Sequence, residues 1–293
     1  MAKFAAPAKQ AARVMQHLQG RVFPSVGTVR NYEQALTRVA EYTRAQRLDG
    51  LRALTPADAI HYLEQRGQTV GQKTLDMERQ AIQAMLHHVS GQLPRDQRLP
   101  VIKAAHAQHL TGRAYTPAQA ELIAHAQTPR HALATAIAYH AGLRAHELLT
   151  LRPVTERSPD LRPALSSKWA GREGVSYTVI GKGGLIREVR LPSDLAQQLE
   201  AQRLQAPRTV TDRGIHYPQH YELAGGQRWS NAFSAAAKRV LGWSAGAHGL
   251  RHSYAQERLN ELQHTGLSQA QALETVSQEM GHFRADITLV YLR

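Results

Sequence analysis

The chain has 293 residues, of which 42% are hydrophobic, which is enough for two modest domains or one large one. Its 36 Lys and Arg residues outnumber its 23 Asp and Glu residues. A formal net charge of +13 favours a polyanionic partner over an ordinary solvated surface, because basic side chains neutralise phosphates and release counterions. The absence of cysteine excludes disulfides, thiolate catalysis and cysteine-ligated zinc. The sequence has no apolar run long enough to span a bilayer and no signal-peptide pattern, so no membrane partner is expected.

The first third of the sequence predicts a small basic bundle of helices. One helix is expected from about Pro7 to Leu18, and apolar residues at helical spacing after Val29 predict another, with Thr28 as its cap. Thr55 and the following Pro56 predict a further start, since they supply a capping hydroxyl and a proline at the first helical position. The next helix carries an apolar stripe and should end at a glycine and a proline: Leu75, Ile82, Leu86 and Val89, then Gly91 and Pro94.

The stretch from Ser90 to about Arg113 is polar, basic and irregular, and it predicts the linker or its flanks. We therefore divide the chain into domains 1–110 and 111–293. In the second domain, Thr116-Pro117 predicts a helix start, and a helix over 132–141 should end at Gly142 in a left-handed conformation. Another helix is expected to begin near Arg144 and to carry Glu147, Leu148 and Leu151.

The periodicity then changes from helical to alternating. Apolar residues alternate over 175–179, a glycine-rich segment follows at 181–184, and the apolar pattern resumes over 186–191. This predicts a β-hairpin with Lys182 at its tip. Helices resume after Ser230 and again after Ser268, with these apolar faces: Phe233, Ala237 and Val240; Ala270, Leu273 and Val276. The predicted fold class is mainly α (α+β), with a helical N-terminal bundle and a mostly helical second domain that holds a small antiparallel sheet.

Four short segments carry side chains suited to phosphate chemistry. Each is weak alone, because an arginine beside a helix start and a lysine in a turn are usually only solvated. They are Gly142 to Leu151 with Arg144 and Glu147, the hairpin turn with Lys182, His248-Gly-Leu-Arg251-His252, and Met280-Gly281-His282 with Tyr291 nine residues later. His252 and Tyr254 are expected to pack rather than to act. His248 and His252 lack the glutamate of a helical zinc-protease motif.

Taken together, the order and spacing of these segments resemble the catalytic signature of the tyrosine recombinases, the phage-integrase family. Residues 142–151 match the family's GLR-x-x-E-L-x-x-L segment, and Gly181-Lys182-Gly183 matches its hairpin lysine. Residues 248–252 match its H-x-L-R-H box. In the last box Met280 replaces the family's leucine, but Thr288 and Tyr291 keep the family spacing after His282. Ala141 stands where the family usually has a threonine.

The resemblance implies a role for each of these side chains. Tyr291 would be the nucleophile that forms a 3′-phosphotyrosine, and Arg144 and Arg251 would clamp the phosphate, because a planar guanidinium gives two parallel charge-assisted hydrogen bonds. The remaining roles are these: His248 would accept the phenol proton, Lys182 would be the general acid, His282 would bond a phosphate oxygen, and Glu147 would orient Arg144 or His248. No cofactor and no metal are expected.

The implied function is a site-specific DNA recombinase, or integrase, that acts through a Holliday junction. Residues 1–110 would be the core-binding domain and 111–293 the catalytic domain. The expected partners are double-stranded DNA, a homotetramer on two DNA sites, and accessory DNA-bending or directionality proteins. The expected location is the cytoplasm, on the nucleoid, and a mobile element is favoured as the source.

Two alternative functions remain open at this point. One is a type IB topoisomerase-like enzyme, which would use the same pocket to relax supercoils as a monomer. The other is a catalytically inactive, integrase-derived DNA-binding protein. Two residues follow Tyr291 in this sequence, whereas many family members continue with a tail that docks on a neighbouring protomer. The chain would therefore use another element for assembly, assemble more weakly, or be truncated.

Overall fold

The computed structural model describes residues 5–23, 26–107 and 111–292, and it divides the chain into two compact units, 1–109 and 110–293. Each unit has its own buried apolar core. Within the described ranges, no helix is both long and apolar enough to cross a membrane.

The first unit is helical. Its helices are α1 (Pro7–Leu18), α2 (Val26–Ala45), α3 (Pro56–Gly67) and α4 (Gln72–Met85). A π-helical turn, Leu86–Ser90, extends α4, and it ends at Gly91, as predicted; the structure gives this glycine a left-handed conformation. Thr55 caps α3 through a reciprocal bond with Asp58, which confirms the predicted start.

One prediction for the first unit is wrong, and another is narrowed. Thr28 lies inside α2, which begins at Val26, so it does not cap that helix. The first part of the stretch after Ser90 is a flank packed on the bundle, because Leu93 and Leu99 are buried in the core of the first unit. The backbone N–H of Leu99 also donates to the Gln83 side chain at 3.1 Å. The scattered apolar residues in this polar stretch anchor it to the bundle; residues 108–110 lie outside the described ranges.

The second unit combines seven helices with two small antiparallel sheets within 111–292. The helices are α5 (Pro117–His125), α6 (Pro129–Ala141), α7 (Ser193–Glu200), α8 (Gly226–Leu241), α9 (Gly249–His264), α10 (Gln269–Glu279) and α11 (Ala285–Leu289). The strands are β1 (Arg152–Pro153), β2 (Val175–Ile180), β3 (Ile186–Leu191), β4 (Arg203–Asp212) and β5 (Ile215–Tyr221). The order β1-β2-β3 forms one sheet and β4-β5 the other.

The β2–β3 hairpin is the one the alternating pattern predicted, and its register pairs Val175 with Leu191 and Ile180 with Ile186. The predicted cap of α10 is also confirmed, because Ser268 makes a capping box with Gln271. The fold class is therefore mainly helical with small antiparallel sheets, as predicted. The β4–β5 ribbon was not predicted.

Two further predictions are corrected in this unit. No α-helix begins at Arg144, because residues 147–150 form only a short 3₁₀ turn. There the N–H of Gly226 donates to the carbonyl of Ala145 at 2.7 Å. In a continuing helix this carbonyl would instead accept from the N–H four residues later. In α10 the predicted Val276 is buried and Leu273 is partly buried against the core, but Ala270 is exposed, and Ala272 and Thr275 complete the buried face.

Candidate active site

Arg144 is presented by the sharp end of α6. The helix stops at Gly142, which has a left-handed φ of 58°. A Cβ on Gly142 would lie 2.7 Å from the Tyr254 ring, so both the conformation and the close packing require glycine. The chain leaves the helix here, and Arg144 follows two residues later with 21% of its side chain exposed. It is thus supported by packed backbone and still open to a ligand.

Glu147 fixes the direction of the Arg144 side chain. Its Oε1 accepts from Arg144 Nη1 at 2.7 Å, and its Oε2 accepts from the Arg144 backbone N–H at 2.8 Å. Arg187 Nη2 donates to the same Oε2 at 2.8 Å. Burial alone would raise the pKa of this fully buried carboxyl, but Arg187, Arg251 and Arg144 together hold it well below its usual range. Glu147 is therefore a permanent anion that orients the guanidinium groups.

Arg251 lies in the first turn of α9 and is fully buried. Its Nη1 donates to the carbonyl of Gly142, and its Nη2 donates to the carbonyl of Met280 at 2.6 Å. Burial and the charge of Arg144 lower its pKa to about 10, so it remains a cation at neutral pH. Arg251 therefore ties the end of α6 to the turn that carries His282.

His282 lies between the two arginines. Its Nε2 is 3.0 Å from Arg251 Nη2 and 3.4 Å from Arg144 Nη2. Because a guanidinium can only donate, Nε2 is the acceptor, and Nδ1 carries the proton and donates to Thr288 Oγ1 at 3.0 Å. Burial and the nearby Arg251 lower the pKa of His282 to about 3, so the ring is neutral. This bond gives the threonine of the last segment a physical role.

The Tyr291 ring packs among three histidine rings and is only 8% exposed. Ring centroids lie 4.8 Å away for His252, 5.2 Å for His282, which is stacked, and 5.5 Å for His248. The Arg251 guanidinium carbon lies 5.5 Å from the centre of the tyrosine ring. The tyrosine thus lies directly over the group proposed from the sequence to bind phosphate.

His248 is the N-cap residue of α9 and keeps part of its surface in solvent. Partial burial of its ring and the charge of Arg251 lower its pKa to about 4. The side chain is therefore neutral at physiological pH and has a nitrogen able to accept a proton. Its position beside the Tyr291 ring fits the role predicted for it.

Lys182 is exposed in the turn between β2 and β3. Within the described ranges its ammonium group makes no hydrogen bond or ion pair with the other candidate residues. The turn itself is close to them, since a Cβ on Gly181 would lie 3.4 Å from Glu147 Oε1 and 4.0 Å from Arg144 Nη1. The structure therefore brings six of the seven predicted residues together and holds the seventh on an adjacent turn.

Sequence reasoning missed one residue of this site and undervalued another. Arg187 was not singled out, although its position on β3 carried a signal: alternation puts it on the inward face with Val189 and Leu191. A charged residue at an inward position needs a buried partner. His252 does pack, as predicted, but it packs against the Tyr291 ring.

No group of three or more His, Cys, Asp or Glu side chains arranged to hold a metal ion is found in the ranges that the structure describes. The donors that converge near Tyr291 are guanidinium groups and neutral imidazoles, together with one carboxylate already bonded to two arginines. This set of side chains is suited to an oxyanion rather than to a cation.

No protein-family model and no curated protein matches the sequence. Solved structures do match in fold. XerH site-specific recombinase bound to its difH substrate aligns with a TM-score of 0.57 and 14% identity, over 98% of this chain and 91% of that chain. The Tn1549 transposon integrase in complex with transposon right end DNA aligns with a TM-score of 0.57 and 16% identity, over 99% and 95%.

A lambda integrase dimer bound to a COC′ core site aligns with a TM-score of 0.58 and 14% identity, over 97% of this chain and 76% of that chain. At these identities the likeness concerns the fold alone. The chain has the fold of the tyrosine recombinases, as the resemblance in its sequence predicted.

Proposed function

We propose that this protein is a site-specific DNA recombinase that cleaves and rejoins strands through a 3′-phosphotyrosine formed by Tyr291. One observation carries the proposal. The tyrosine ring lies over Arg251 and is stacked on His282, which itself lies within hydrogen-bonding distance of both Arg144 and Arg251. Side chains from distant parts of the sequence thus converge on a place where one phosphate would meet a nucleophile and two guanidinium groups.

The charge of the pocket suits a phosphodiester. Arg144, Arg187 and Arg251 surround the single carboxylate of Glu147, which leaves two net positive charges in a largely buried setting. A phosphodiester brings one negative charge and gains more on its non-bridging oxygens as an in-line attack proceeds. Fixed donors aimed at that developing charge stabilise the transition state more than the ground state.

Binding of the phosphate requires a local rearrangement around Arg251. Its Nη groups are bonded to two backbone carbonyls, and the Tyr291 ring covers the guanidinium. Arg144 is the accessible arginine, with 21% of its side chain exposed. We propose that the phosphate first meets Arg144 and that the tyrosine ring then swings off Arg251, which opens the second contact and places the phenol in line with phosphorus.

The proton transfers follow from the states of the histidines. In cleavage the Tyr291 oxygen bonds to phosphorus and the bond to the 5′-oxygen breaks, so one proton leaves the phenol and one is gained by the leaving oxygen. The neutral His248 beside the tyrosine ring accepts the first. Lys182, on the exposed hairpin turn, gives the second. The reverse sequence rejoins the strand without an external energy source.

His282 must change state when DNA binds. In the DNA-free chain its Nε2 accepts from arginine, so it cannot donate to a phosphate in this tautomer. An anionic phosphate beside the ring favours the protonated form and would raise the pKa of His282 from about 3. The ring then donates from Nε2 to a phosphate oxygen while Nδ1 keeps its bond to Thr288.

A covalent-trapping experiment tests the proposal. The wild-type chain is incubated with duplex oligonucleotides that have a randomised central segment and a single nick, and the DNA that stays attached in denaturing detergent is amplified and sequenced. We expect enrichment of a defined sequence with the wild type and no attached DNA with Tyr291→Phe. Equal yields from both proteins, or no attached DNA from either, would overturn the assignment of the nucleophile.

The finer features are proposed on the resemblance alone. Double-stranded DNA is the partner, four protomers assemble on two sites, and accessory DNA-bending or directionality proteins join them on the nucleoid in the cytoplasm. Incubation of the selected DNA with the protein should give a four-protomer, two-duplex complex by native mass spectrometry. Relaxation of a supercoiled plasmid lacking the selected site would instead support the topoisomerase alternative, and full biological activity of Tyr291→Phe would support the inactive DNA-binding alternative.

A further inference from the structure

We propose that Arg187 is a positioning residue for strand cleavage, one that sets the geometry of Arg144 and His282 without touching the DNA itself. The proposal rests on the function proposed above, because it concerns the same pocket. Arg187 lies on β3 and is only 4% exposed. Its guanidinium bonds two parts of the pocket that lie far apart in the sequence: the Glu147 carboxylate that holds Arg144, and the turn that carries His282.

The first part is the carboxylate that holds Arg144. Arg187 Nη2 donates to Glu147 Oε2 at 2.8 Å, and the same oxygen accepts the backbone N–H of Arg144. The other oxygen, Oε1, accepts from Arg144 Nη1 at 2.7 Å. Because Arg187 bonds one carboxylate oxygen, it fixes the rotation of the Glu147 side chain and thereby the direction in which Arg144 points.

The second part is the turn that carries His282. Arg187 Nη1 donates at 2.8 Å to the carbonyl of Glu279, the last residue of α10. Carbonyls at a helix C-terminus lack a partner within the helix, so this bond satisfies a group that would otherwise be unpaired in a buried place. Only Met280 and Gly281 separate that carbonyl from His282, so the guanidinium anchors the turn close to the ring.

Gly281 shows how closely the arginine stem is packed against this turn. Its φ is +73°, and a Cβ built on it would lie 2.7 Å from Arg187 Cδ. The stem therefore passes directly under the turn, and no side chain fits between them. The glycine in this segment leaves room for Arg187 as well as supplying the left-handed conformation.

The two hydrogen bonds require an arginine at this position; a positive charge alone is not sufficient. Two donors that diverge from one planar group reach a carboxylate on one side and a carbonyl on the other. A lysine could reach one of these acceptors but could not hold both in a fixed relation. Arg187 also belongs to the strand that leads out of the hairpin turn of Lys182, so the same contacts hold the base of that turn against the pocket.

The experiment compares four versions of the whole chain on the nicked duplex that was selected with the wild type. They are the wild type, Arg187→Met, Arg187→Lys and a control, Arg190→Met. Arg190 is on the same strand but on its opposite face, where it is partly exposed and donates to the carbonyl of Arg172 at 2.9 Å. Two quantities are measured: the equilibrium affinity for the duplex, and the single-turnover rate of covalent adduct formation at saturating protein.

We expect Arg187→Met to form the adduct about 10- to 100-fold more slowly than the wild type, by analogy with the loss seen when the hydrogen-bond partner that orients a metal ligand is removed. DNA affinity should change by less than about threefold, because phosphate contacts elsewhere dominate binding. Arg187→Lys should lie between Met and wild type, and Arg190→Met should match the wild type.

A double-variant comparison distinguishes the positioning role of Arg187 from a role in fold stability alone. If Arg187 acts on Arg144 through the Glu147 carboxylate, adding Arg187→Met to Glu147→Gln should slow adduct formation by less than it does in the wild-type background, and the slowing that remains comes from the contact with the turn of His282. A residue that only stabilises the fold would lower the melting temperature and leave the rate of the folded protein unchanged. Equal slowing in both backgrounds, or a wild-type rate for Arg187→Met, would overturn the proposal.

Failure of this proposal can be told apart from failure of the proposed function. If the wild type forms no adduct that depends on Tyr291, the function itself is wrong. If the wild type forms the adduct and the Arg187 variants form it equally fast, only the positioning role is wrong. Should Arg187→Met not fold, Arg187→Lys decides the matter alone, because slowed cleavage with unchanged affinity supports the role and a wild-type rate contradicts it.

Discussion

Replacing Glu147 by glutamine tests whether one buried carboxylate organises the pocket. The side chain is fully buried and bonds Arg144 through both oxygens and Arg187 through one. Glutamine has nearly the same shape but only one acceptor oxygen. Whichever way the amide is turned, its NH₂ faces a donor of Arg144 or Arg187, and neither guanidinium can accept a hydrogen bond. The change thus removes the neutralising charge and creates a donor–donor contact.

The loss of stability expected for Glu147→Gln follows from the burial of the ion pairs that Glu147 makes with Arg144 and Arg187. Removing one partner of a buried ion pair costs about 3–5 kcal/mol, because the remaining charge stays desolvated. For a unit of this size each kcal/mol lowers the melting temperature by about 2–4 °C, so we expect a fall of about 6–20 °C. Differential scanning calorimetry of the full chain measures it, with exposed Glu274→Gln on α10 as the matched control. A fall of less than about 2 °C, equal to that of the control, would show that the Glu147 carboxylate does not organise the pocket.

Three further predictions concern the same pocket. Gly281→Ala places a Cβ 2.7 Å from the Arg187 stem at a φ of +73°, and it should slow adduct formation about tenfold or more. The control Gly266→Ala is also at positive φ but has open space around it, so its rate should not change. Equal rates for the two variants would contradict this prediction. Partial burial lowers the pKa of His248 to about 4 and of His282 to about 3, so both rings should still be neutral at a pH of about 5.5 in an NMR titration. Because an unfolded chain binds these protons near about pH 6.5, the free energy of unfolding should fall as the pH drops from there towards the folded values, and titration midpoints near 6.5 would contradict this. Arg144→Lys keeps the charge but loses the fork, so adduct formation should slow by about 10²-fold or more in a single-turnover assay while DNA affinity stays near that of the wild type.

Much of the site could be predicted because four segments, each weak alone, together resemble the catalytic signature of the tyrosine recombinases in order and spacing. Arg144, Arg251, His282 and Tyr291 were all named from the sequence, and the structure brings them together. The hairpin of Lys182 was also predicted, because alternation on both sides of a glycine-rich turn is a local signal. The hairpin signal is local, whereas the side chains of the site were assigned from the order of segments spread over residues 142–291.

Arg187 could not be assigned in the same way, because its role depends on contacts made far along the chain. Its partner Glu147 lies 40 residues away and its second acceptor, the Glu279 carbonyl, lies 92 residues away. The expected helix at Arg144 was wrong for a related reason, since a tertiary bond from Gly226 captures the Ala145 carbonyl. Helix and strand propensities depend on neighbouring residues, so they predict neither the contacts of Arg187 nor the bond between Gly226 and Ala145.

The β4–β5 ribbon shows a different limit of sequence analysis. Most of β4 is exposed or only partly buried, so its side chains lack the regular apolar alternation that predicts a strand. Its pairing with β5 depends on backbone bonds and on polar contacts such as those between Arg208 and Gln219. Such contacts leave little trace in a hydrophobic pattern.

Mass spectrometry of the trapped complex identifies the residue that attacks the DNA. The wild-type protein that stays attached to the selected DNA is digested with nuclease and protease, and the peptide carrying the residual nucleotide is sequenced. Of the ten tyrosines in the chain, only Tyr291 should carry the phosphodiester mass. A modification on any other residue, or attachment that survives in Tyr291→Phe, would contradict the account.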